Sequence, residues 1–412
     1  MSSPTSPGRR CLGRVHHAGP RIVLTWTVLL GVVTGVSTGY TRPGMVNANF
    51  SVYHLAAETY LAGGDIYAVA PEAFPTFFYR YPPGTVLAFV PFTIVDAWSG
   101  YLGFSVLSVG AGGLLGWICL RTVSSAGPEV GSVDKLLVTA ACLVTPYTVP
   151  NLVFGNVNLL LAAALAVGLF ALERDEQTTA GLLIGAVVSV KLFPATVGAW
   201  LLRRRAWRGV AAAAAVGVVV LAVGLVTHGL DVTQFYLAEV LLDEARAGGE
   251  IGDPARAYVT LHRPIGLLVD GGAWRYAIAV ALLAPAVGYC YTVIETPMDR
   301  LVAMGATVIA MLLVVPATFT YLPLVTYPLL PLLYLLDGRV RSLSLMGWAI
   351  TQLSLTLRRE AIVSAVLPDP IAEATIEWLR TLLELGTPPT FGLLLLLAAF
   401  ALRARSRHTE NP

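Results

Sequence analysis

Charged residues are scarce in this chain: Asp, Glu, Lys and Arg make up only 13% of its 412 residues. A soluble domain usually carries about 25% charged residues, so this protein lacks the charged surface that would keep it dissolved in water. Hydrophobic residues, at 56%, gather instead into long blocks. Because roughly 18 or more apolar residues in a helix cross the hydrocarbon core of a bilayer, the sequence predicts an all-α, polytopic transmembrane protein.

The chain also lacks the short motifs of nucleotide and zinc chemistry. No CxxC, HExxH, GxGxxG or P-loop string occurs in it. The four cysteines, Cys11, Cys119, Cys142 and Cys290, lie far apart, and three of them fall inside apolar blocks. This placement favours a packing role over a disulfide or a metal site. We therefore predict neither a metal ion nor a cofactor.

The hydrophobic blocks form about 11 to 12 segments. They cover residues 22–40, 85–95, 101–120, 136–153, 159–172, 180–202, 210–226, 276–294, 301–317, 322–336, 343–357 and 390–402. Two stretches do not fit straight crossings: 85–120 is short for two spans, and Lys191 and Pro194 interrupt 180–202. Each stretch is either a straight span or a pair of half-helices, and such broken backbone is tolerated at membrane depth only where protein or a water-filled cavity covers it.

Arginine clusters predict the orientation, because cytoplasmic loops carry an excess of Lys and Arg. The clusters are Arg9, Arg10, Arg14 and Arg21; Arg203, Arg204, Arg205 and Arg208; Arg339 and Arg341; and Arg403, Arg405 and Arg407. We predict a cytoplasmic basic N-terminus (1–21), a single transmembrane domain (22–403) and a cytoplasmic tail (404–412), in the plasma membrane. Three aqueous segments, at about 41–83, 228–274 and 358–388, then face outward.

The first outer segment combines carboxylates, amides and aromatic rings. A helix is predicted over residues 51–61, ending before Gly63-Gly64. Carboxylates can act as general bases on a hydroxyl acceptor, and aromatic faces suit the apolar faces of sugar rings. The alternative is an interfacial belt, because Trp and Tyr gather at membrane surfaces anyway. The candidate residues are Asn49, Tyr53, Glu58, Asp65, Tyr67, Arg80 and Tyr81.

Lys191 is the most informative single residue, since apolar residues flank it on both sides. A lysine at the bilayer centre costs roughly 2.5–3.5 kcal/mol on insertion scales, so its ammonium should face a cavity or an anion. The hydrophobic segments are nearly free of Asp and Glu, which favours a phosphate or pyrophosphate headgroup as the anion. The alternative is that the side chain snorkels to an interface or packs against a broken helix end.

Two asparagines, Asn156 and Asn158, interrupt the apolar sequence after Gly155. Their amides either cap the helix that follows or reach into a cavity and bind substrate. Both alternatives are compatible with the sequence.

The second outer segment carries both charge signs. An interfacial helix is predicted over residues 232–245, followed by a turn at Gly248-Gly249. Further along, His262 and Arg263 belong to a polar cluster that either contacts an anionic substrate or is solvated as an ordinary loop.

Several strings of this sequence occur in a recognisable order. They are Asn49-Phe-Ser-Val-Tyr53, Ala56-Ala57, Leu61-Ala-Gly-Gly-Asp-Ile-Tyr67, Tyr81-Pro-Pro83, Gly155-Asn-Val-Asn158, Ala180-Gly-Leu-Leu-Ile-Gly185, Lys191-Leu-Phe-Pro194 and Arg203-Arg-Arg205. Together they resemble the polyprenol-phosphate-mannose-dependent mannosyltransferases, which belong to the GT-C class of membrane glycosyltransferases. The resemblance covers roughly residues 49–207 and extends only loosely to the C-terminal half.

The resemblance implies transfer of a sugar, mannose in that family, from a polyprenyl-phosphate donor to a glycan, lipid or protein acceptor at the outer face, without a bound nucleotide. The donor phosphate would lie near Lys191, with help from Arg263 or Arg80. The family has an aspartate, its expected catalytic base, where this chain has Asn49. An amide cannot usefully accept a proton, so Asp65 or Glu58 would act as the base.

Two other functions are compatible with the sequence. A transporter or flippase for a lipid-linked solute usually carries acids inside the membrane and often has repeated halves, and this sequence shows neither. A catalytically inactive relative that acts as an assembly partner is consistent with Asn49.

Overall fold

The computed structural model describes residues 7–127, 129–241, 251–356, 364 and 367–410, with the side chains of residues 7–16, 409 and 410 outside the description. Most of the described residues are helical, and strands are limited to two pairs of residues. A chain in hydrocarbon must satisfy its own backbone N–H and C=O groups, and a helix does so within one segment. The prediction of an all-α membrane protein is confirmed.

Sixteen α-helices lie within the described residues. In chain order, the α-helices of the described residues are α1 (Pro7–Thr41), α2 (Ala48–Leu61), α3 (Ala97–Ser125), α4 (Ser132–Leu143), α5 (Thr148–Phe154), α6 (Asn158–Glu173), α7 (Gln177–Val190), α8 (Gly198–Arg203), α9 (Trp207–Phe235), α10 (His262–Gly266), α11 (Gly272–Thr292), α12 (Pro297–Val314), α13 (Thr326–Leu335), α14 (Gly338–Thr351), α15 (Asp369–Leu385) and α16 (Pro388–Glu410). Short 3₁₀ helices cover Pro43–Met45, Pro83–Ala88, Val90–Ile94, Phe193–Val197 and Phe319–Val325, and a π-helical turn, Tyr236–Val240, extends α9.

Six helices of the described residues are long and apolar enough to cross a membrane: α1, α3, α9, α11, α12 and α16. The pair α4 and α5, bent by 52° at its break, becomes a seventh span if it is counted as one. The remaining apolar helices are shorter. The apolar segments of the sequence are therefore a mixture of full-length spans and broken ones.

The expected break in residues 180–202 is confirmed. Helix α7 ends at Val190, and Lys191 has extended backbone angles (φ −134°, ψ 120°) before the chain continues into Phe193–Val197 and α8. Pro194, near the start of the second piece, has no N–H to continue the α7 ladder. Lys191 therefore lies at a helix end and not in the middle of a continuous span.

Residues 85–120 do not form a pair of half-helices. Residues 85–95 fold into the 3₁₀ helices Pro83–Ala88 and Val90–Ile94, and α3 is a continuous helix of 29 residues. The helix predicted over 232–245 is present as far as the structure describes it: it forms the end of α9 and its π-helical turn, beyond a break at Gly229 (φ 82°). Residues 242–245, the Gly248-Gly249 turn and Arg358 lie outside the described residues.

Ion pairs hold helix ends together at one end of the bundle. Arg21 of α1 makes two hydrogen bonds, 2.8 and 2.9 Å, to the buried Asp134 at the start of α4. Glu173 at the end of α6 pairs with both Arg204 and Arg300, the latter at 2.7 Å. Members of the predicted cytoplasmic arginine clusters thus occupy the same end. Burying these charges is tolerated because they are paired.

A two-stranded antiparallel sheet closes the opposite end. Strand β1 (Tyr258–Val259) pairs with β2 (Ala317–Thr318), which follows α12. Thr387, just before α16, donates its hydroxyl hydrogen to the Tyr258 carbonyl at 2.8 Å. These contacts fix the loop after β2, and that loop carries part of the candidate site.

Candidate functional site

Helix α2 presents one face to the site. The prediction of a helix over 51–61 is confirmed, with its start at Ala48. At about 100° per residue, Tyr53 lies about 40° from Asn49, so the two share a face. Glu58, nine residues after Asn49, lies about 180° away. It faces the other side, where its carboxylate pairs with His54 at 3.5 Å.

Close glycine contacts hold the surrounding segments in place. A Cβ on Gly84 would come within 2.9 Å of the backbone nitrogen of Gly224 in α9, so the chain after Tyr81 packs directly on that helix. Gly155 has φ +68°, and a Cβ there would lie 2.6 Å from Cβ of Phe50. Glycine at these positions therefore brings the first outer segment and the start of α6 against their neighbours.

Four tyrosines, Tyr53, Tyr67, Tyr79 and Tyr81, form a packed group that we call the tyrosine layer, in which Tyr79 contacts the rings of Tyr67 and Tyr81. The hydroxyls of Tyr53 and Tyr81 are 3.0 Å apart, and the Tyr67 hydroxyl donates to the Tyr81 carbonyl at 2.7 Å. All four side chains are buried. Burial raises the pKa of Tyr53 to about 12, and it also raises the pKa of the other three phenols. The tyrosines therefore stay protonated at neutral pH.

Lys191 lies against this layer. Its Nζ is 5.5 Å from the ring centroid of Tyr81 and 4.0 Å from that of Tyr321. On Tyr321 the cation sits at cation–π distance, a contact worth about 2 kcal/mol where water is excluded. Phe193 stacks on the same Tyr321 ring, with centroids 5.1 Å apart. The ammonium is therefore held at a defined place beside the rings of Tyr81 and Tyr321.

The two asparagines after Gly155 have different roles. The Asn156 side-chain oxygen accepts the backbone N–H of Asn158 at 3.1 Å, which caps the start of α6. The Asn158 amide donates to Asn151 Oδ1 and, at 2.9 Å, to the Thr320 carbonyl. Asn151 donates to the same carbonyl at 2.8 Å. This clamp fixes the residue before Tyr321, and hence the ring beneath Lys191.

Asp65 follows α2 on the way to the tyrosine layer. Its Oδ1 accepts the backbone N–H of Tyr67 at 2.9 Å, and its side chain is exposed. Because the Tyr67 hydroxyl bonds to the Tyr81 carbonyl, Asp65 is tied to the same group of residues as Lys191. Of the two acids singled out in the sequence, Asp65 is the one that the structure connects to this group.

The side chains of His262 and Arg263 bond to backbone carbonyls outside the tyrosine layer. The His262 Nε2 lies 2.8 Å from the Val314 carbonyl, and burial lowers the pKa of this imidazole. The Arg263 guanidinium donates to the carbonyls of Leu383, Asp253 and Arg256 and is almost fully buried. Burial lowers its pKa to about 10, which leaves it charged at neutral pH. Arg263 therefore ties three backbone segments together, and its predicted role in substrate binding stays a prediction.

Replacing Arg263 with alanine is expected to lower stability rather than weaken substrate binding selectively. Hydrogen bonds to a charged group contribute about 1.5–3 kcal/mol, and the three carbonyls would lose their partner. Thermal unfolding in detergent measures the loss. Arg380→Ala, which removes an exposed arginine of α15 paired with Glu377 at 4.0 Å, should change stability by no more than about 0.5 kcal/mol. Unchanged unfolding of Arg263→Ala with weaker donor binding would instead support a substrate role.

Sequence reasoning did not single out Asn151, Tyr321 or Glu239. Asn151 bonds to Thr320, which is 169 residues further along the chain. Tyr321 contacts Lys191, which is 130 residues earlier in the chain. A signal existed for Tyr321, because residues 318–321 are a polar and aromatic interruption between two apolar segments. Glu239 lines a cavity beside the tyrosine layer together with Arg80, and nothing in the local sequence indicates that proximity.

The fold and this site together define a class. A multi-pass, all-α membrane protein with a lysine and buried tyrosine hydroxyls at the end of its bundle opposite the arginine clusters fits the GT-C class of membrane glycosyltransferases that the sequence resembles. The chain belongs to glycosyltransferase family 87: the family's sequence model matches residues 78–316, which is 239 of the 412 residues. The matched range includes Arg80, Asn158 and Lys191.

A curated protein is similar to the chain over about as many residues as the family model matches. It is the polyprenol-phosphate-mannose-dependent alpha-(1-2)-phosphatidylinositol pentamannoside mannosyltransferase of Mycobacterium tuberculosis (strain CDC 1551 / Oshkosh), 27% identical over 233 residues. The match covers 54% of this chain and 52% of that protein, so the chain spans about half the length of the curated relative it matches. No solved structure matches the chain. The family predicted from the sequence strings is confirmed.

Proposed function

We propose that the protein transfers mannose from a polyprenyl-phosphate donor to a hydroxyl group of a glycan, lipid or protein acceptor at the outer face of the plasma membrane. Membership of glycosyltransferase family 87 supports the reaction class, and the name of the mycobacterial relative supports the donor. The observation that carries the proposal is the position of Lys191 beside Tyr81 and Tyr321.

The position of Lys191 suits a lipid phosphate. Helix α7 starts four residues after Glu173, near the arginine ion pairs, and its 14 residues rise about 21 Å toward the other end. In a hydrocarbon core about 30 Å thick, this places Lys191 toward the outer interface when the arginines are cytoplasmic. A polyprenyl chain could then stay in the bilayer while its phosphate reaches the ammonium.

The reaction needs a base, a leaving group and an electrophile held in place. In the proposed mechanism, the acceptor oxygen attacks the anomeric carbon while its proton passes to the Asp65 carboxylate. The bond between that carbon and the phosphate oxygen breaks, and the phosphate keeps the electron pair. Lys191 stabilises the negative charge that develops on the leaving phosphate. Electrostatic stabilisation of this kind is usually the largest single contribution to lowering an activation barrier. The tyrosine layer and Asn156 contact the donor sugar in this arrangement.

Asn49 supports a second candidate, an inactive relative. It lies on the same face of α2 as Tyr53, where the related enzymes carry their expected carboxylate base. Asn49 is an amide and Glu58 lies on the opposite face, so neither supplies a base at this position. If Asp65 does not act as the base either, the protein binds the donor without transferring sugar. Such a protein would act as an assembly partner.

One assay tests both candidates. Purified protein is incubated with radiolabelled mannose on a short-chain polyprenyl phosphate, and a membrane extract serves as acceptor. Label in the acceptor fraction, above a no-protein control, is the expected result. If the wild type is silent and Asn49→Asp transfers label, the inactive relative is the correct description. If neither the wild type nor Asn49→Asp transfers label and neither protein binds the donor, the proposed donor is wrong.

A further inference from the structure

An open cavity of about 210 Å³, which we call the outer cavity, lies beside the tyrosine layer. Its wall comes from the first outer segment and from the end of α9 with its π-helical turn. The lining residues are Tyr67, Phe78, Tyr79, Arg80, Phe235, Glu239 and Val240. Its volume is below the roughly 300–1,000 Å³ of pockets for drug-sized ligands, so it suits a single sugar ring better than a lipid chain.

Aromatic faces from both parts of the chain are available in the outer cavity. Phe78 and Phe235 are 41% and 47% exposed although both are large apolar residues. Tyr67 packs on Phe235 with ring centroids 5.8 Å apart and stacks on Tyr236 at 6.3 Å. The Phe235 ring is therefore backed by packed tyrosines, and together with Phe78 it offers flat apolar surfaces to a ligand.

The two charged residues of the outer cavity have opposite signs. Among the described residues, neither the Arg80 nor the Glu239 side chain makes an ion pair or a hydrogen bond with the protein. A guanidinium supplies only hydrogen-bond donors and a carboxylate only acceptors. A ligand with several hydroxyl groups satisfies both, whereas a phosphate would be repelled by Glu239. The outer cavity therefore favours a neutral polyhydroxyl ligand.

We propose that the outer cavity binds the neutral sugar ring of the acceptor, with Glu239 and Arg80 on its hydroxyls and Phe78 and Phe235 on its apolar faces. The inference rests on the proposed function and specifies a glycan-bearing acceptor. The Tyr67 hydroxyl donates to the Tyr81 carbonyl, and the Tyr81 ring lies beside Lys191. Tyr67 and Tyr81 therefore connect the outer cavity to the proposed phosphate site at Lys191, and Asp65 lies on the same segment as Tyr67.

Binding of a neutral monosaccharide tests this without requiring turnover. Methyl α-D-mannopyranoside is titrated into the full-length protein in lipid nanodiscs, and saturation-transfer NMR reports bound ligand. We expect Glu239→Gln to weaken binding about tenfold or more, since a lost hydrogen bond to a charged group costs more than the 1.4 kcal/mol of one decade. Phe235→Ala is expected to weaken binding to a similar degree, because it removes the ring face on which the apolar side of the sugar rests. Asp231→Asn and Leu237→Ala are the matched controls, because both residues are exposed on the same part of the chain and do not line the outer cavity. They should bind like the wild type.

Three results would overturn the inference. These are no binding to the wild type, equal binding by the wild type and both cavity variants, or tighter binding of mannose 1-phosphate than of the neutral sugar. The same variants are then assayed for mannose transfer to methyl α-D-mannopyranoside. A raised KM for this acceptor with an unchanged KM for the donor is expected. Failure of the wild type to transfer counts against the proposed function, whereas the binding titration alone decides the acceptor subsite.

Discussion

Lys191→Ala is expected to reduce mannose transfer by about 10²-fold or more. Removing a single group that stabilises developing negative charge typically costs 10²–10³ in kcat, about 2.7–4 kcal/mol, and Lys191 is the cation that contacts Tyr81 and Tyr321. Steady-state transfer from the polyprenyl-phosphate donor measures the loss. Lys191→Arg should retain part of the activity, because it keeps the charge but changes the geometry of its hydrogen bonds.

The chain offers a close control for this experiment. Its only other lysine, Lys135, is exposed near the start of α4, beside the Arg21–Asp134 ion pair and at the opposite end of the bundle. Lys135→Ala should transfer mannose at the wild-type rate. Because the cation–π contact with Tyr321 also contributes to packing, thermal unfolding of Lys191→Ala is measured in parallel. Full transfer activity in a folded Lys191→Ala protein would contradict the proposed donor site.

Asp65→Asn is expected to lower kcat by about 10²–10⁴-fold, the range that general base catalysis usually contributes. The side chain keeps its size and can still accept the Tyr67 N–H hydrogen bond through its amide oxygen, so the local turn should survive. If Asp65 is the base, kcat should fall while the stability of the variant and its KM for the donor stay unchanged. A structural role of Asp65 alone would lower stability and leave kcat of the folded protein in place.

Two neighbouring acids show whether the effect is specific. Glu72→Gln removes an exposed carboxylate of the same segment and should leave the rate unchanged. Glu58→Gln tests the other acid predicted as a base, and its position on the face of α2 opposite Asn49 predicts little change. Loss of transfer in Glu58→Gln, with Asp65→Asn active, would place the base on that opposite face and refute the arrangement proposed for the acceptor.

Local patterns in the sequence determined a large part of the architecture. Hydropathy and helix length depend on neighbouring residues, so they predicted a polytopic helical bundle, the helix over residues 51–61 and the break beside Lys191. Half-helices were considered for residues 85–120, but an apolar composition alone does not distinguish them from 3₁₀ turns followed by a continuous α3. The strings that resemble the mannosyltransferases identified the family for a similar reason, since each is a short contiguous stretch.

The arrangement of the site was decided only by the tertiary structure. Tyr321 reaches Lys191, and Asn151 reaches the Thr320 carbonyl, because α6, α7 and the chain after β2 pack together; no local pattern encodes contacts between residues so far apart in the chain. The same packing turns Arg263 toward backbone carbonyls and brings Glu239 to Arg80. The sequence by itself determined which segments are helical and which residues could do chemistry. Which of those residues meet depended on close packing, because the free energy of a contact is gained only when two distant surfaces fit together.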